Sequence, residues 1–363
     1  METRILTLDP DRFDPSVMEA PAEAIRRGGL VAFPTETVYG IGVNLDHPEA
    51  IRRLLEIRES PVEKRITIHV SSRDDVPKFV PGRMPAAAHR LMRRFWPGPL
   101  TLVVAVDGGT IGVRLPDHPI AQALIRQAGV RLGAPSANLS GRPPAVDADE
   151  VRREFDGKID YIIDGGPCRH RVASTVVQVA EGRIELLREG AIPGPLIEEA
   201  NAVTILFVCT GNTCRSPMAE RLMKHLLAKR LGVAESELPT AGFRILSAGT
   251  GAGHGGAAAA EAEIAVRELG GDLGGHRSQP VSISMAEESD RIFVMTEGHR
   301  QVLVEWMPDL AERIALLDPS GRDVGDPIGA SLEIYREIAR RIRQCLERRL
   351  EELNLPSPVG GAP

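Results

Sequence analysis

One short segment constrains the fold of this chain more than any other. The apolar run Thr204–Val208 leads straight into Cys209-Thr210-Gly211-Asn212-Thr213-Cys214-Arg215-Ser216, and a helical pattern starts at Pro217. This order reads as strand, tight loop, helix. Such a loop aims backbone N–H groups at one point, and the helix N-terminus adds its partial positive charge there. An oxyanion such as phosphate fits that field. Arg215 offers a planar fork for two of its oxygens. The same field favours a thiolate, which makes Cys209 a nucleophile. Taken singly, Cys209 is equally a small apolar core residue, or half a metal site with Cys214. Only Cys168 and Cys345 remain, each isolated, so no second pair completes a metal site. A core cysteine also has no need of the Gly211, Asn212, Arg215 and Ser216 that follow.

At 363 residues the chain exceeds one ordinary core, and its 42% hydrophobic content supports two. A net charge of −6 carries no global nucleic-acid signature. Four cysteines without a disulfide-like framework suit a reducing cytosol, so the expected location is cytoplasmic. The N-terminal Met-Glu-Thr-Arg-Ile-Leu-Thr lacks the charged-then-apolar order of a signal peptide. No apolar run approaches the ~20 residues needed to span a bilayer, so no membrane partner is expected. Pro193 and Pro195 flank Gly194 where the composition turns polar. The expected division is therefore a domain over 1–195, a linker over 196–202, a domain over 203–354 and a disordered Pro/Gly/Ser-rich tail over 355–363. The alternating glycines of 249–260 imitate a nucleotide-binding fingerprint, but no acidic partner follows. They read as a mobile loop before a helix near 257–269.

From about 203 to 354 the sequence resembles the low-molecular-weight protein-tyrosine phosphatase family. The resemblance implies a Rossmann-like, flavodoxin-type four-stranded parallel sheet flanked by helices, with no cofactor. It puts the catalytic cysteine, phosphate-binding arginine and loop serine on Cys209, Arg215 and Ser216. Thr210, Gly211, Asn212, Thr213 and Cys214 complete the phosphate loop. The general acid falls on Asp326 of Asp326-Pro327, and chemistry asks for one, because the leaving group must be protonated as sulfur attacks. Asp318-Pro319 competes for this role, yet it precedes Ser-Gly-Arg and reads better as a turn. Tyrosine-specific members carry aromatic residues after the Asp-Pro pair, whereas here Ile328-Gly329-Ala330 follows and no aromatic appears until Tyr335. Thr213, with Asn212 and Met218-Ala219-Glu220, resembles the bacterial branch that includes protein-arginine phosphatases, although some of those have Phe where Ile328 stands. The expected substrate is a phosphoprotein, phosphoarginine favoured over phosphotyrosine. Arsenate reductases share this architecture, but they need further cysteines, and after Cys214 only Cys345 follows.

The first half alternates short apolar runs with helical patterns, which predicts a mixed, twisted α/β sheet covered by helices. Strands are expected ending at Phe33 and near 66–70, 101–106, 131–134, 161–163, 175–179 and 184–187, with helices over 48–58, 86–95 and 119–128. Polar Thr35, Glu36, Thr37 and Tyr39 cluster where the first strand emerges, a place where α/β sheets bind ligands. Five segments in order resemble the YrdC family, the catalytic domain of threonylcarbamoyl-AMP synthases, across roughly 15–192. They are Phe33 to Gly40, Phe95 to Thr101, Gly112 to Pro116, Ala134 to Gly141, and Ser174 to Val177 with Arg188-Glu189-Gly190. The resemblance implies joining of L-threonine, bicarbonate and ATP, with loss of pyrophosphate, to supply the modification of tRNA adenosine 37. Its partners would be tRNA or other tRNA-modification proteins. Thr37, His69, Arg114 and Ser174 match positions that hold threonine. Arg58, Lys64, Ser136, Asn138 and Arg188 match positions facing ATP, whose Mg arrives on the triphosphate rather than on protein ligands.

One departure stands out. The family's Lys-x-Arg-Pro is here Arg58-Glu59-Ser60-Pro61, followed by Lys64 and Arg65. One cation is missing, and a lost charge-assisted contact costs about 1.5–3 kcal/mol. Three readings follow: a bifunctional synthase and phosphatase, a phosphatase carrying an inactive nucleotide- or RNA-binding module, or a redox protein on the phosphatase scaffold.

Overall fold

Strand pleating sorts the residues of Val203–Cys209 onto two faces. Ile205, Phe207 and Cys209 join an apolar cluster with Met218, Leu222 and Tyr335, while Leu206 and Val208 join another with Ile292, Val294 and Leu303. A strand buried on both faces must be apolar throughout, which explains the unbroken run. The computed structural model describes residues 2–61, 66–82, 84–180 and 183–352, and the chain divides into two units, Met1–Ala200 and Asn201–Pro363.

Among the described residues the first unit carries ten strands: β1 (Arg4–Thr7), β2 (Val31–Phe33), β3 (Gly40–Asn44), β4 (Ile68–His69), β5 (Leu100–Val106), β6 (Gly109–Arg114), β7 (Leu132–Gly133), β8 (Tyr161–Asp164), β9 (Thr175–Ala180) and β10 (Arg183–Arg188). Their order is β1-β8-β2-β3-β7-β4-β6-β5-β9-β10, with parallel pairs such as β5 with β9 and antiparallel ones such as β5 with β6. The sheet is mixed, as its alternating pattern implies. The expected strand at 66–70 shortens to Ile68–His69, and β1, β3 and β6 are additions that the sequence reading lacks. β3 is Gly-Ile-Gly-Val-Asn, a glycine-rich string of weak strand propensity that full burial turns into a strand. Helices start where the sequence provides caps. His47 caps Pro48–Ile57, with proline in the first turn, and Ala50, Leu54 and Leu55 face inward.

The second unit is a four-stranded, all-parallel sheet in the order β12-β11-β13-β14, from β11 (Val203–Cys209), β12 (Phe243–Gly249), β13 (Arg291–Val294) and β14 (Ile314–Leu316). The helix Arg215–Leu231 ends on left-handed Gly232, and the helix Leu332–Glu352 packs along it. Residues 250–259 form a turn-and-loop segment before the helix Ala260–Arg267, which is shorter than the 257–269 expected. Residues 196–202, the expected linker, carry secondary structure of their own. Most of them lie in the helix Gly194–Asn201, because Pro195 falls in the first turn, where proline starts a helix instead of breaking one. Ile197 of this helix packs into the first unit's core. The tail at 355–363 lies outside the described residues.

Candidate active sites

In the second unit the site assembles where β11 ends. Cys209 Sγ lies 3.0 Å from Ser216 Oγ at the start of the helix. Ser216 Oγ also lies 3.1 Å from the Ala248 carbonyl and accepts from Asn212 Nδ2 at 3.0 Å. Its single proton therefore serves either the carbonyl or a sulfur anion. Asn212, fully buried and left-handed at φ 52°, donates to Ser247 Oγ and accepts the Gln279 amide and the His276 ring N–H at its two oxygens. Asparagine tolerates that conformation better than most residues. Gly249 underlies the loop. A Cβ there would sit 2.4 Å from the Thr210 carbonyl oxygen, so only glycine permits the approach.

Arg215 is buried, and its guanidinium pairs with Asp326 while also donating to the Val324 carbonyl at 3.2 Å. Asp326 remains 41% exposed, so an incoming anion can displace it from the arginine. Asp318 sits elsewhere. It is 2% exposed, bonded by Ser320 and paired with Arg341, Arg322 and Arg348, which together outweigh burial and hold its carboxyl below the usual range. Cys214 Sγ meets Tyr335 Oη at 3.3 Å, and the same Tyr335 is buried. Cys345 is buried in the core, and burial pushes its thiol up, which suits a packing residue better than a disulfide relay.

In the first unit a cavity of about 240 Å³ opens among β3, β4, β5, β6 and β9. Arg58, His69, Arg114, Ser136, Ser174 and Arg188 all line it, with Thr35, Thr67, Thr101 and Tyr39. Arg114 Nη2 donates to Glu36 Oε1 at 2.7 Å and to Thr37 Oγ1 at 2.8 Å. Glu36 is 1% exposed, and its second oxygen accepts the Asp117 amide. Arg188 donates twice to the Ser174 carbonyl and reaches Ser174 Oγ, which lies 2.9 Å from Thr101 Oγ1. Arg58 donates to the Asn138 carbonyl and to Ser60 Oγ at 3.4 Å, so the serine that replaces a cation touches the remaining one. Burial lowers the pKa of Arg58, and of Arg188 together with nearby Arg114. His69 is neutral. Burial, then Arg114, drives its pKa to about 3, and Nδ1 lies 3.2 Å from the Thr67 carbonyl. That bond makes Nδ1 the donor and leaves Nε2 as a lone-pair acceptor. Three guanidinium groups against one buried carboxylate give the cavity an excess of positive charge, suited to anions. Among the described residues no cluster of three His, Cys, Asp or Glu side chains is arranged to hold a metal.

The Sua5/YciO/YrdC family model, described as telomere recombination, matches residues 23–190, and the model of low-molecular-weight phosphotyrosine protein phosphatases matches 204–356. A protein of Mycobacterium tuberculosis H37Rv, named as a candidate threonylcarbamoyl-AMP synthase, is 33% identical over 205 residues, which are 54% of this chain and 93% of that protein. The chain belongs to the Sua5/YciO/YrdC family. From residue 204 onward it is also a low-molecular-weight phosphatase domain. The threonylcarbamoyl-AMP synthase of Bacillus subtilis strain 168 is 40% identical over 196 residues, 51% of this chain, and the chain spans only 56% of that relative's length. On the phosphatase side, the arginine phosphatase YwlE of Geobacillus stearothermophilus is 31% identical, with 42% of this chain and 92% of that one covered and a TM-score of 0.36.

In this Sua5/YciO/YrdC chain, the structure brings Thr37, His69, Arg114, Ser174 and Arg188 into one connected region, with Arg58, Ser136 and Asn138 on a neighbouring wall. Lys64 lies outside the described residues, as does Arg65. Sequence reasoning missed Glu36 as the partner of Arg114, although its apolar surroundings in Phe33-Pro34-Thr35-Glu36 were a signal that the charge is buried. It also missed Ser247 and His276, which hold Asn212, and His299, whose ring contacts Thr210. No helix of the described residues is long and apolar enough to cross a membrane.

Proposed function

We propose that this chain is a bifunctional cytoplasmic enzyme. Residues 1–195 make threonylcarbamoyl-AMP from L-threonine, bicarbonate and ATP carrying Mg. The observation that carries this half is the cavity in which Arg58, Arg114 and Arg188 converge with hydroxyl donors and a neutral histidine. The threonine carboxylate would pair with Arg114 beside Thr37. The amine attacks bicarbonate carbon with loss of water, and the resulting carbamate oxygen attacks the α-phosphorus of ATP. The α-phosphorus–oxygen bond to the β-phosphate breaks and pyrophosphate leaves. Arg58 and Arg188 act here by charge and position, not by bond-making. The product would feed the adenosine 37 modification of tRNA through partner proteins. Pyrophosphate release from the full chain with ATP, bicarbonate and threonine tests the reading. Release that does not depend on threonine would end it.

Residues 203–354 act as a phosphatase. The carrying observation is Cys209 Sγ at 3.0 Å from Ser216 Oγ, with the Arg215–Asp326 pair beside it. Cys209 sulfur attacks phosphorus as the bond to the leaving group breaks, and Asp326 hands that group a proton. Asp326 then takes a proton from water, whose oxygen displaces the sulfur to release phosphate. Phosphoarginine is the favoured substrate, the broken bond then being phosphorus–nitrogen. Two features support this choice: Tyr335 is buried against Cys214 and cannot clasp a phenyl ring, and Ile328, 71% exposed, is the apolar residue at the Asp-Pro turn. Hydrolysis of phosphoarginine peptides over phosphotyrosine peptides by kcat/KM is the expected result, and equal rates would remove the preference.

A further inference from the structure

The phosphate loop is held from two sides, and the sides differ in kind. On the side of β12 and the long helix, several groups act together: Ser247, Gln279 and His276 hold Asn212, the Ala248 carbonyl lies beside Ser216, and Tyr335 meets Cys214. On the side of β13, a single imidazole does the work. Thr296 caps the helix Glu297–Trp306, accepting the backbone N–H of His299 at 3.3 Å. The His299 ring then spans from Thr296 Oγ1, 2.8 Å from Nδ1, to Thr210 Oγ1, 2.9 Å from Nε2. Thr210 directly follows the nucleophile, and its carbonyl receives the Gly251 amide. Its side chain is exposed, whereas His299 is 8% exposed.

A ring fixed at both nitrogens has little freedom to rotate, so it sets the distance between the helix N-terminus and the first loop residue. An amide ring that binds a tetrahedral anion loses most from an error of an ångström at one edge. We propose that His299 is a positioning residue for phosphate transfer, acting through the Thr210 hydroxyl to hold the β13 edge of the loop around Cys209. This rests on the phosphatase reading of the second unit. Burial, then the charge of Arg215, hold the imidazole below its usual range, while Asp326 and Asp323 oppose this. A neutral ring donates at one nitrogen and accepts at the other, which both threonine hydroxyls can satisfy.

A double-mutant cycle on the full chain tests it, with His299→Ala, Thr210→Val and the pair, each first checked for folding by thermal unfolding. The readouts are kcat/KM for an aryl phosphate and protection of Cys209 from iodoacetamide by inorganic phosphate. His299→Ala is expected to lower kcat/KM about 30-fold and to weaken phosphate protection, with Thr210→Val close behind. The pair should be no more than about twofold worse than the poorer single change, since both break one linkage. Multiplying effects in the pair, or a His299→Ala chain within twofold of the unaltered protein, would overturn the proposal. If His299→Ala does not fold, His299→Gln takes its place in the cycle under the same criteria. An unaltered chain without aryl phosphatase activity whose Cys209 still gains phosphate protection through His299 would sink the phosphatase reading and leave His299 holding the loop for anion binding alone. Loss of both readouts in the unaltered chain would sink both.

Discussion

The two candidate sites are built in opposite ways. The loop of 209–216 is contiguous, and its field comes mainly from backbone and one helix N-terminus, with one guanidinium, Arg215, inside it. The cavity of the first unit is assembled from Thr35, Arg58, His69, Arg114, Ser174 and Arg188, spread over 153 positions from the first to the last, and its field comes from side chains. A backbone site is robust to substitution of most of its residues but depends on a few, the nucleophile above all. A side-chain site spreads its work and has to neutralise its own charges while empty, which is what Glu36 does for Arg114 at 2.7 Å. Removing a residue should therefore end activity in one unit and destabilise the other.

The largest effect should come from Cys209→Ser, with aryl phosphate turnover falling by about 10⁶. Threonine-dependent pyrophosphate release by the same preparation should be unchanged. If it falls too, the two sites are not separable. Asp326→Asn should cost about 10²–10⁴ in kcat with a poor leaving group, and much less with a nitrophenyl ester that needs no proton. A loss independent of the leaving group would remove Asp326 as the acid.

In the side-chain site the expected effect is on stability. Arg114→Met strands the buried Glu36 carboxylate, a change that costs about 3–5 kcal/mol, and adding Glu36→Gln should recover much of it. Trp96 is 3% exposed and lies in the first unit, so its fluorescence in a Trp306→Phe background reads urea unfolding of that unit alone. No recovery in the double variant would mean that the pair is not the reason for the cost.

His69 gives a pH test. Its folded pKa of about 3 lies below the usual 6.5, so the unfolded chain binds its proton first. The stability that neutral His69 provides is complete above pH 6.5 and is lost as pH falls from there toward 3. The slope is about 1.4 kcal/mol per pH unit for one proton. His69→Asn should flatten that slope by about one proton in the same Trp96 assay, and an unchanged slope would count against a neutral, buried ring. The smallest effect is a gain. Ser60→Arg restores the family's cation beside Arg58, and the KM for ATP should fall about tenfold, the low end of a charge-assisted contact. No change would indicate that the first unit already compensates for the serine.

The loop was legible as a candidate phosphate site because every part of it is consecutive, so strand, turn and helix follow from residue types alone. The cavity was legible only as ordered motifs that resemble a family, since no spacing in the sequence tells Thr37 that Arg114 is its neighbour. Asp326 and Asp318 share the Asp-Pro pair, and the sequence favoured Asp326 through the turn-like residues that follow Pro319. The fold separates them, one exposed against Arg215 and the other 2% exposed beneath Arg341. Pro195 misled in the other direction, because a proline that ends a helix and one that begins it look the same until the turn around it forms.

By itself, the sequence determined two α/β cores, an apolar central strand with a cysteine at its end, and the identity of the charged groups. Those follow from local pattern, propensity and composition. Which charges neutralise each other, which aspartate meets the arginine, and which histidine meets the loop were decided by tertiary structure. These are contacts between residues 78, 111 and 89 positions apart, and only chain packing sets such distances.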